Sequence, residues 1–283
     1  MKNLVVNPVL NKEFKLRFRN FKSYLGVLFY LLALGLIIVG FIFIESLSNN
    51  MQGFFKPDQS RTMFMVLSVL QLALILFITP GLTAGVISSE RERQTLNIML
   101  TTTQSSASII LSKLISSISY LILLIAASLP LYSFVFLFGG ISPGQLLTTM
   151  GFYLFTILAF GSLGVLFSTL IRKTIVSMVT TYGVTLFLAG GTAFLALIFM
   201  QLTNAYGYTA TQPTNPLAYF PAMLNPVIIL ISTFEPEITN EISRSTGIEF
   251  PLWVSYLISY TVIFIGAVLL SIKKLRPNMK KVK

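Results

Sequence analysis

Long apolar stretches alternate with short polar ones along this chain, and the uncharged intervals set the lengths of its elements. An ionised side chain at mid-bilayer costs at least ~2.5 kcal/mol, so the gaps between charges mark where a helix can cross. Between Lys22 and Glu45 lie 22 uncharged residues, and between Glu249 and Lys273 lie 23. Each matches the ~20 residues that cross ~30 Å of hydrocarbon, and each predicts one helix. Arg61 to Glu90 encloses 28, enough for one span ending near Ala84, with Pro80 as a kink and Gly81 to Gly85 as a close-packing stretch. The interval from Lys113 to Arg172 holds 58 and is interrupted by Gly139-Gly140-Ile141-Ser142-Pro143-Gly144, which predicts two helices in a tight hairpin. Lys173 to Glu235 holds 61, of which about 175–202 make a span and 203–216 a polar, Pro-containing loop.

The predicted fold is therefore an all-α polytopic membrane protein, one transmembrane domain over 1–283 with spans at about 24–44, 62–87, 108–138, 147–170, 175–202 and 251–272. Leu217 to Ser232 (LAYFPAMLNPVIILIS) is apolar but only 16 residues long, and Pro221 and Pro226 interrupt it. It predicts an external re-entrant or interfacial hairpin before the last span. The first apolar stretch is too long for a cleaved leader and is expected to remain as the first helix.

Charge fixes the expected orientation. With the N-terminus inside, seventeen of the twenty Lys and Arg fall in inner segments, and only Lys56, Arg61 and Arg244 fall outside. Both termini are thus expected in the cytoplasm of a multi-pass cell-membrane protein. The composition agrees: 54% of residues are hydrophobic and 10% charged, against about 25% charged in soluble domains. Mean hydropathy is +0.81. The net charge of +11 then reads as topology and lipid contact, with no nucleic-acid partner. The chain has no cysteine and no histidine, which removes the thiolate nucleophile, the commonest general base and most metal-ligand sets. The spans are expected to be free of Asp, Glu, Lys and Arg, which argues against an ion-coupled carrier and against a membrane-embedded protease or acyltransferase. No G-x-x-x-x-G-K-[ST] pattern occurs, so the chain does not hold a nucleotide in the P-loop manner.

Two inner segments carry more pattern than a connector needs. In residues 7–22, NPVLNKEFKLRFRNFK, Asn7 can cap and Pro8 suits a first helical turn. Leu10, Phe14, Phe18 and Phe21 recur at spacings of four, four and three on one face, with Lys12, Lys15, Arg19 and Lys22 mostly on others. This predicts an amphipathic helix lying on the inner leaflet. The plainer alternative is that these charges only enforce topology. In residues 88–102, Ser89 and Glu92 have capping-box spacing, which predicts a short helix. Leu96, Met99 and Leu100 give it an apolar ridge beside Glu90, Arg91, Glu92 and Arg93. Such a surface suits a protein partner better than a solvated connector does.

N-P-V-L-x-K-E-F at 7–14 and E-R-E-R-Q-T-L at 90–96, with the trailing threonines and Lys113, resemble the permease subunits of type-2 ATP-binding-cassette (ABC) exporters. Asn225-Pro226 and Leu275-Arg276-Pro277 also fit. The resemblance implies six helices, an interfacial elbow helix at 8–20 including Pro8 and Lys12, and a coupling helix at about 90–102 docking into a separate ATPase. In that reading Glu90, Arg91, Glu92, Arg93, Thr95, Leu96, Met99 and Leu100 contact the ATPase, and none is catalytic. ATP and Mg are held by the partner, so this chain carries no cofactor. A second permease copy, or a related one, completes the path. Many relatives have Gly where Gln94 stands and Pro where Thr103 stands. Tyr120, Tyr132, Tyr153 and Tyr182 are path candidates, although aromatic residues in membrane helices more often pack. The cargo expected is amphipathic or lipid-like, and the alternative is a non-transporting anchor or regulator of an ATPase in envelope stress.

Overall fold

In the computed structural model, residues 8–48, 57–96, 104–136, 139, 141–205 and 215–275 are described. They form helices joined by turns, with no strand among the described residues. In chain order they give α1 (Pro8–Phe18), α2 (Phe21–Ser48), α3 (Pro57–Thr83), α4 (Ser88–Glu92), α5 (Ser106–Phe136), α6 (Pro143–Leu170), α7 (Thr174–Leu186), a π-turn (Phe187–Gly191) and α8 (Thr192–Ala205). A short 3-10 turn at Pro216–Ala218 then leads into α9 (Tyr219–Leu224), α10 (Pro226–Phe234), α11 (Pro236–Thr246) and α12 (Leu252–Leu275). Six helices among the described residues are long and apolar enough to cross a membrane, with α7, the π-turn and α8 together making the fifth.

The core lies where α3, α5, α6 and α12 meet. α5 is the most enclosed of the six, whereas α2 and the fifth span bury the fewest of their residues. In lipid, apolar burial gives little drive for helices to associate, so close packing and hydrogen bonds carry the bundle. The α3–α6 crossing depends on Gly164, where a Cβ would stand 1.9 Å from Thr83 Oγ1 and 3.3 Å from the Ala84 backbone nitrogen. Buried hydroxyls bond to their own helices: Thr79 donates to the Ile75 carbonyl and Thr83 to the Thr79 carbonyl, both at 2.7 Å. Tyrosines tie helices together at longer range, Tyr153 donating to the Ser68 carbonyl at 2.7 Å and Tyr260 to the Leu224 carbonyl at 2.7 Å.

The structure changes three expectations and bends one segment that was expected to turn back. The fourth span starts earlier than expected, because Ser142 caps α6 with a reciprocal Gln145 bond and Pro143 takes the first helical position. The turn signal read there is thus partly a helix start. The fifth span is interrupted by its π-turn at Phe187–Gly191, which leaves a carbonyl without its usual i+4 donor. The Leu217–Ser232 segment bends by 94° between its two helices. Finally α11, which no sequence pattern announced, runs along residues 236–246 and ends at Gly247 in the left-handed conformation (φ 70°).

Asn225, fully buried at the 94° bend, explains why the hairpin and the π-turn occur together. Its Oδ1 accepts from Val227 N and Ile228 N, both at 2.8 Å, capping α10. Its Nδ2 donates to the Ala189 carbonyl in the π-turn and to Thr192 Oγ1 at 2.9 Å. One amide thereby satisfies two orphan donors of one helix and also donates to a carbonyl within the π-turn of another. Asn225→Ala should destabilise the protein by about 2 kcal/mol, the penalty of stranding buried polar groups. The check is the unfolding midpoint in mixed micelles, and an unchanged midpoint would remove Asn225 as the tie.

Candidate functional site at the loop between spans two and three

Glu90, Arg91 and Glu92 of the E-R-E-R segment close α4, five residues long, and each engages a different part of the bundle. Glu90 Oε1 lies 3.3 Å from Lys113 Nζ on α5. Arg91 Nη2 donates to the Thr169 carbonyl at 3.0 Å, in the last turn of α6. Glu92 accepts from the Thr174 backbone N–H at 2.9 Å and from its hydroxyl at 2.7 Å, at the first residue of α7. A cation thus sits at a helix C-terminus and an anion at a helix N-terminus, as the helix dipoles require. The two Thr174 bonds hold the Glu92 carboxyl below the usual carboxylate range. Burial, reinforced by the Arg172 charge, acts against the Arg91 cation.

Lys113 corrects the expectation of charge-free spans. It lies inside α5, its side chain is 3% exposed, and it is neutralised by Glu13 at 3.0 Å as well as by Glu90. Two carboxylates around one ammonium make the burial tolerable. The two segments singled out for their pattern, residues 7–22 and 88–102, therefore meet on one lysine of a third element. Arg17, on the next turn of α1 from Glu13, is lowered from its ordinary pKa by burial, with Glu13 acting in the opposite sense. No sequence pattern marked Arg17, Ser168, Thr169 or Thr174.

The expected capping box does not form. Ser89 donates instead to the Gly85 carbonyl, and the N-terminal amides of α4 are capped from another span, Ile87 N and Ser88 N donating to Ser168 Oγ at 2.8 and 3.0 Å. Ser168 is 80 and 81 residues away, and so invisible to local spacing. With Glu92 used at Thr174, the reciprocal bond has no carboxylate to make it. The chain turns after α4 through Gln94 in the left-handed region (φ 59°), the position at which relatives were expected to carry Gly. Thr95 donates to the Glu90 carboxylate, and Leu96 is 5% exposed within the chain's own core. Arg93 is exposed. Met99 and Leu100 lie outside the described residues.

The stripe of residues 7–22 is shorter than expected. Phe14 stacks on Phe18 (centroids 5.8 Å), and Phe18 packs at 6.5 Å against Tyr120 of α5. Leu10 is half-buried, whereas Phe21 opens α2 and is 77% exposed, because the helix breaks at Arg19-Asn20 and rotates the next turn away. At the break Ser23 donates to the Arg17 carbonyl at 2.6 Å, and Tyr120 donates to the Ser23 carbonyl at 2.8 Å. Pro8 opens α1; the side chains of Pro8 and Lys12 lie outside the described residues. Of the other tyrosines, Tyr132 and Tyr153 are fully buried in the core, and Tyr182 is half-buried against Phe77.

A six-span bundle whose N-terminal helix and second loop converge on a buried lysine is matched over residues 8–274 by the family model described as ABC-2 family transporter protein. The chain belongs to that family. No curated protein matches it. The chain is thus a multi-pass membrane permease component of an ABC transporter, and membership implies partnership with an ABC ATPase subunit. In this permease, α4 bonds to the ends of three spans and is linked through Lys113 to α1.

Proposed function

We propose that this permease works in an ABC exporter, forming the substrate path with a second copy or a related permease, and that α4 carries the ATPase's movement into the bundle. The ATPase is a separate cytoplasmic chain that binds ATP and Mg. Both termini of the permease lie in the cytoplasm of the cell membrane, with α1 along the inner leaflet. The observation that carries this reading is the set of bonds from α4 to Lys113, Thr169 and Thr174. Docking falls to Arg93 and to the Met99 and Leu100 ridge, whereas Glu90, Arg91 and Glu92 transmit. Leu96, already packed in its own chain, anchors the loop to the bundle. The cargo is amphipathic or lipid-like: Lys113, neutralised by two carboxylates at one end of its span, offers no site for a small ion.

Docking and transmission separate experimentally. Met99→Ala with Leu100→Ala should weaken co-purification of the ATPase about tenfold or more, as at interface hot spots. Glu92→Ala should leave co-purification intact and lower ATP-dependent flux in proteoliposomes, since loss of a helix cap costs about 0.5–2 kcal/mol. Wild-type flux and wild-type stimulation of ATP hydrolysis in both variants, at normal membrane level, would exclude this loop as the coupling element.

A further inference from the structure

At the end of the bundle that carries the 141–142 turn, α6, α10, α11 and α12 surround a cavity of about 420 Å³. That is within the ~300–1,000 Å³ of sites that hold small organic ligands. Its inner wall is aromatic: Phe152 stacks on Tyr256 with centroids 5.2 Å apart, and Phe155 meets the same ring edge-on at 6.1 Å. Trp253, 60% exposed, and Leu257 stand on the α12 side, where the cavity opens beside a membrane-spanning helix. Thr148, Ser232, Thr233 and Thr239 contribute hydroxyls, the Tyr256 hydroxyl is paired with Thr156 at 2.8 Å, and no Asp, Glu, Lys or Arg is among the lining residues.

These hydroxyls narrow the ligand. Thr148 donates to the Gln145 carbonyl at 2.9 Å, and Ser232 and Thr233 donate to the Ile229 carbonyl at 2.8 and 3.0 Å. The protons of these three are committed to their own helices, so their oxygens are left to act as acceptors, while the Thr239 hydroxyl can donate or accept. A ligand head would therefore donate hydrogen bonds. It would also be uncharged, because an ionised head would enter a site with no counter-charge. The aromatic wall suits an aliphatic chain. We propose that this cavity binds a single-chain, uncharged amphiphile with a hydroxyl-bearing head, of the monoacylglycerol or fatty-alcohol class, taken from the surrounding bilayer beside Trp253. The site lies away from the α4 loop and needs no ATPase.

Trp253 is the only tryptophan of the chain, which makes it a built-in reporter. Gly151 lines the cavity, and a Cβ there meets nothing within 4 Å, so the side chain of Gly151→Leu starts into open space and adds bulk to the cavity wall. A Cβ at Gly266, also on a spanning helix but not in the lining, likewise meets nothing, and Gly266→Leu is the control. The experiment titrates the purified full-length chain in phosphatidylcholine nanodiscs with a chain-brominated monoacylglycerol and follows Trp253 emission. Saturable quenching is expected in the wild type and in Gly266→Leu, and its loss in Gly151→Leu. A brominated alkyl sulfate of the same chain length should bind about tenfold or more weakly, since its charge is unpaired in the site. Quenching that only scales with probe content, or a Gly151→Leu curve like the wild type, would overturn the site. Equal affinity for the sulfate would overturn the head-group assignment. The assay contains no ATPase, so either failure leaves the coupling reading of α4 standing.

Discussion

Lys113→Met will cost this permease about 3 kcal/mol of stability, because it leaves two partly buried carboxylates facing each other without their cation. Methionine keeps the length and apolar stem of lysine, so the loss reports the charge rather than a void. Glu13 and Glu90 side chains are 18% and 25% exposed, which keeps the expected figure at the lower end for a broken buried pair. Neutralising all three together, Lys113→Met with Glu13→Gln and Glu90→Gln, should recover most of the stability, since no unpaired charge then remains. Glu90→Gln alone should cost about 1 kcal/mol, with Lys113 still paired to Glu13. Equilibrium unfolding in mixed micelles measures all of these. A Lys113→Met midpoint equal to the wild type would mean that the three-residue cluster does not hold α1 and α4 to α5.

Gly164→Ala should be nearly as damaging. The new Cβ would stand 1.9 Å from Thr83 Oγ1 and 2.8 Å from Thr83 Cβ, so α3 and α6 must separate or Thr83 must move. Moving it would break its bond to the Thr79 carbonyl. Overpacking of this kind costs about 1–3 kcal/mol. The displacement would also reach the contact between Ser168, one helical turn further along α6, and the start of α4. ATP-dependent flux should therefore fall together with the unfolding midpoint. Thr83→Gly in the same chain removes the colliding atoms and should restore part of both. Failure of that second change to restore either would point away from the helix crossing as the cause.

The spans were legible because their boundaries are written in charge. Lys22, Glu45, Arg61, Glu249 and Lys273 bracket apolar runs of about bilayer length, and a lipid environment tolerates few other solutions. The convergence of residues 7–22 and 88–102 was not legible. Spacing within each segment predicts a local cap and a local stripe, but Glu90, Arg91 and Glu92 find better partners on three other helices, and Phe18 finds Tyr120. Tertiary partners outcompete local ones wherever several helix ends, each with unsatisfied backbone groups, lie side by side. The π-turn escaped for a different reason. Phe187-Leu188-Ala189-Gly190-Gly191 reads as ordinary apolar helix, and the amide that stabilises its altered bonding is on Asn225, 36 residues away. At Gln94 the expectation of glycine in relatives did carry information, because a left-handed residue follows α4 there.

The Glu13–Lys113–Glu90 cluster also bears on how the chain is made. Glu13 precedes its cation by 100 residues and Glu90 by 23, so both acids leave the ribosome before the lysine that pairs them. Until the third span has entered the bilayer, Lys113 is not there to hold the N-terminal helix and the loop before that span to α5. Arrival of Lys113 would close both contacts in one step, after the first two spans are already in place. A chain halted before residue 113 would hold its first two spans with neither Glu13 nor Glu90 yet paired to Lys113, and the N-terminal helix tied through the Ser23–Arg17 bond at its own break.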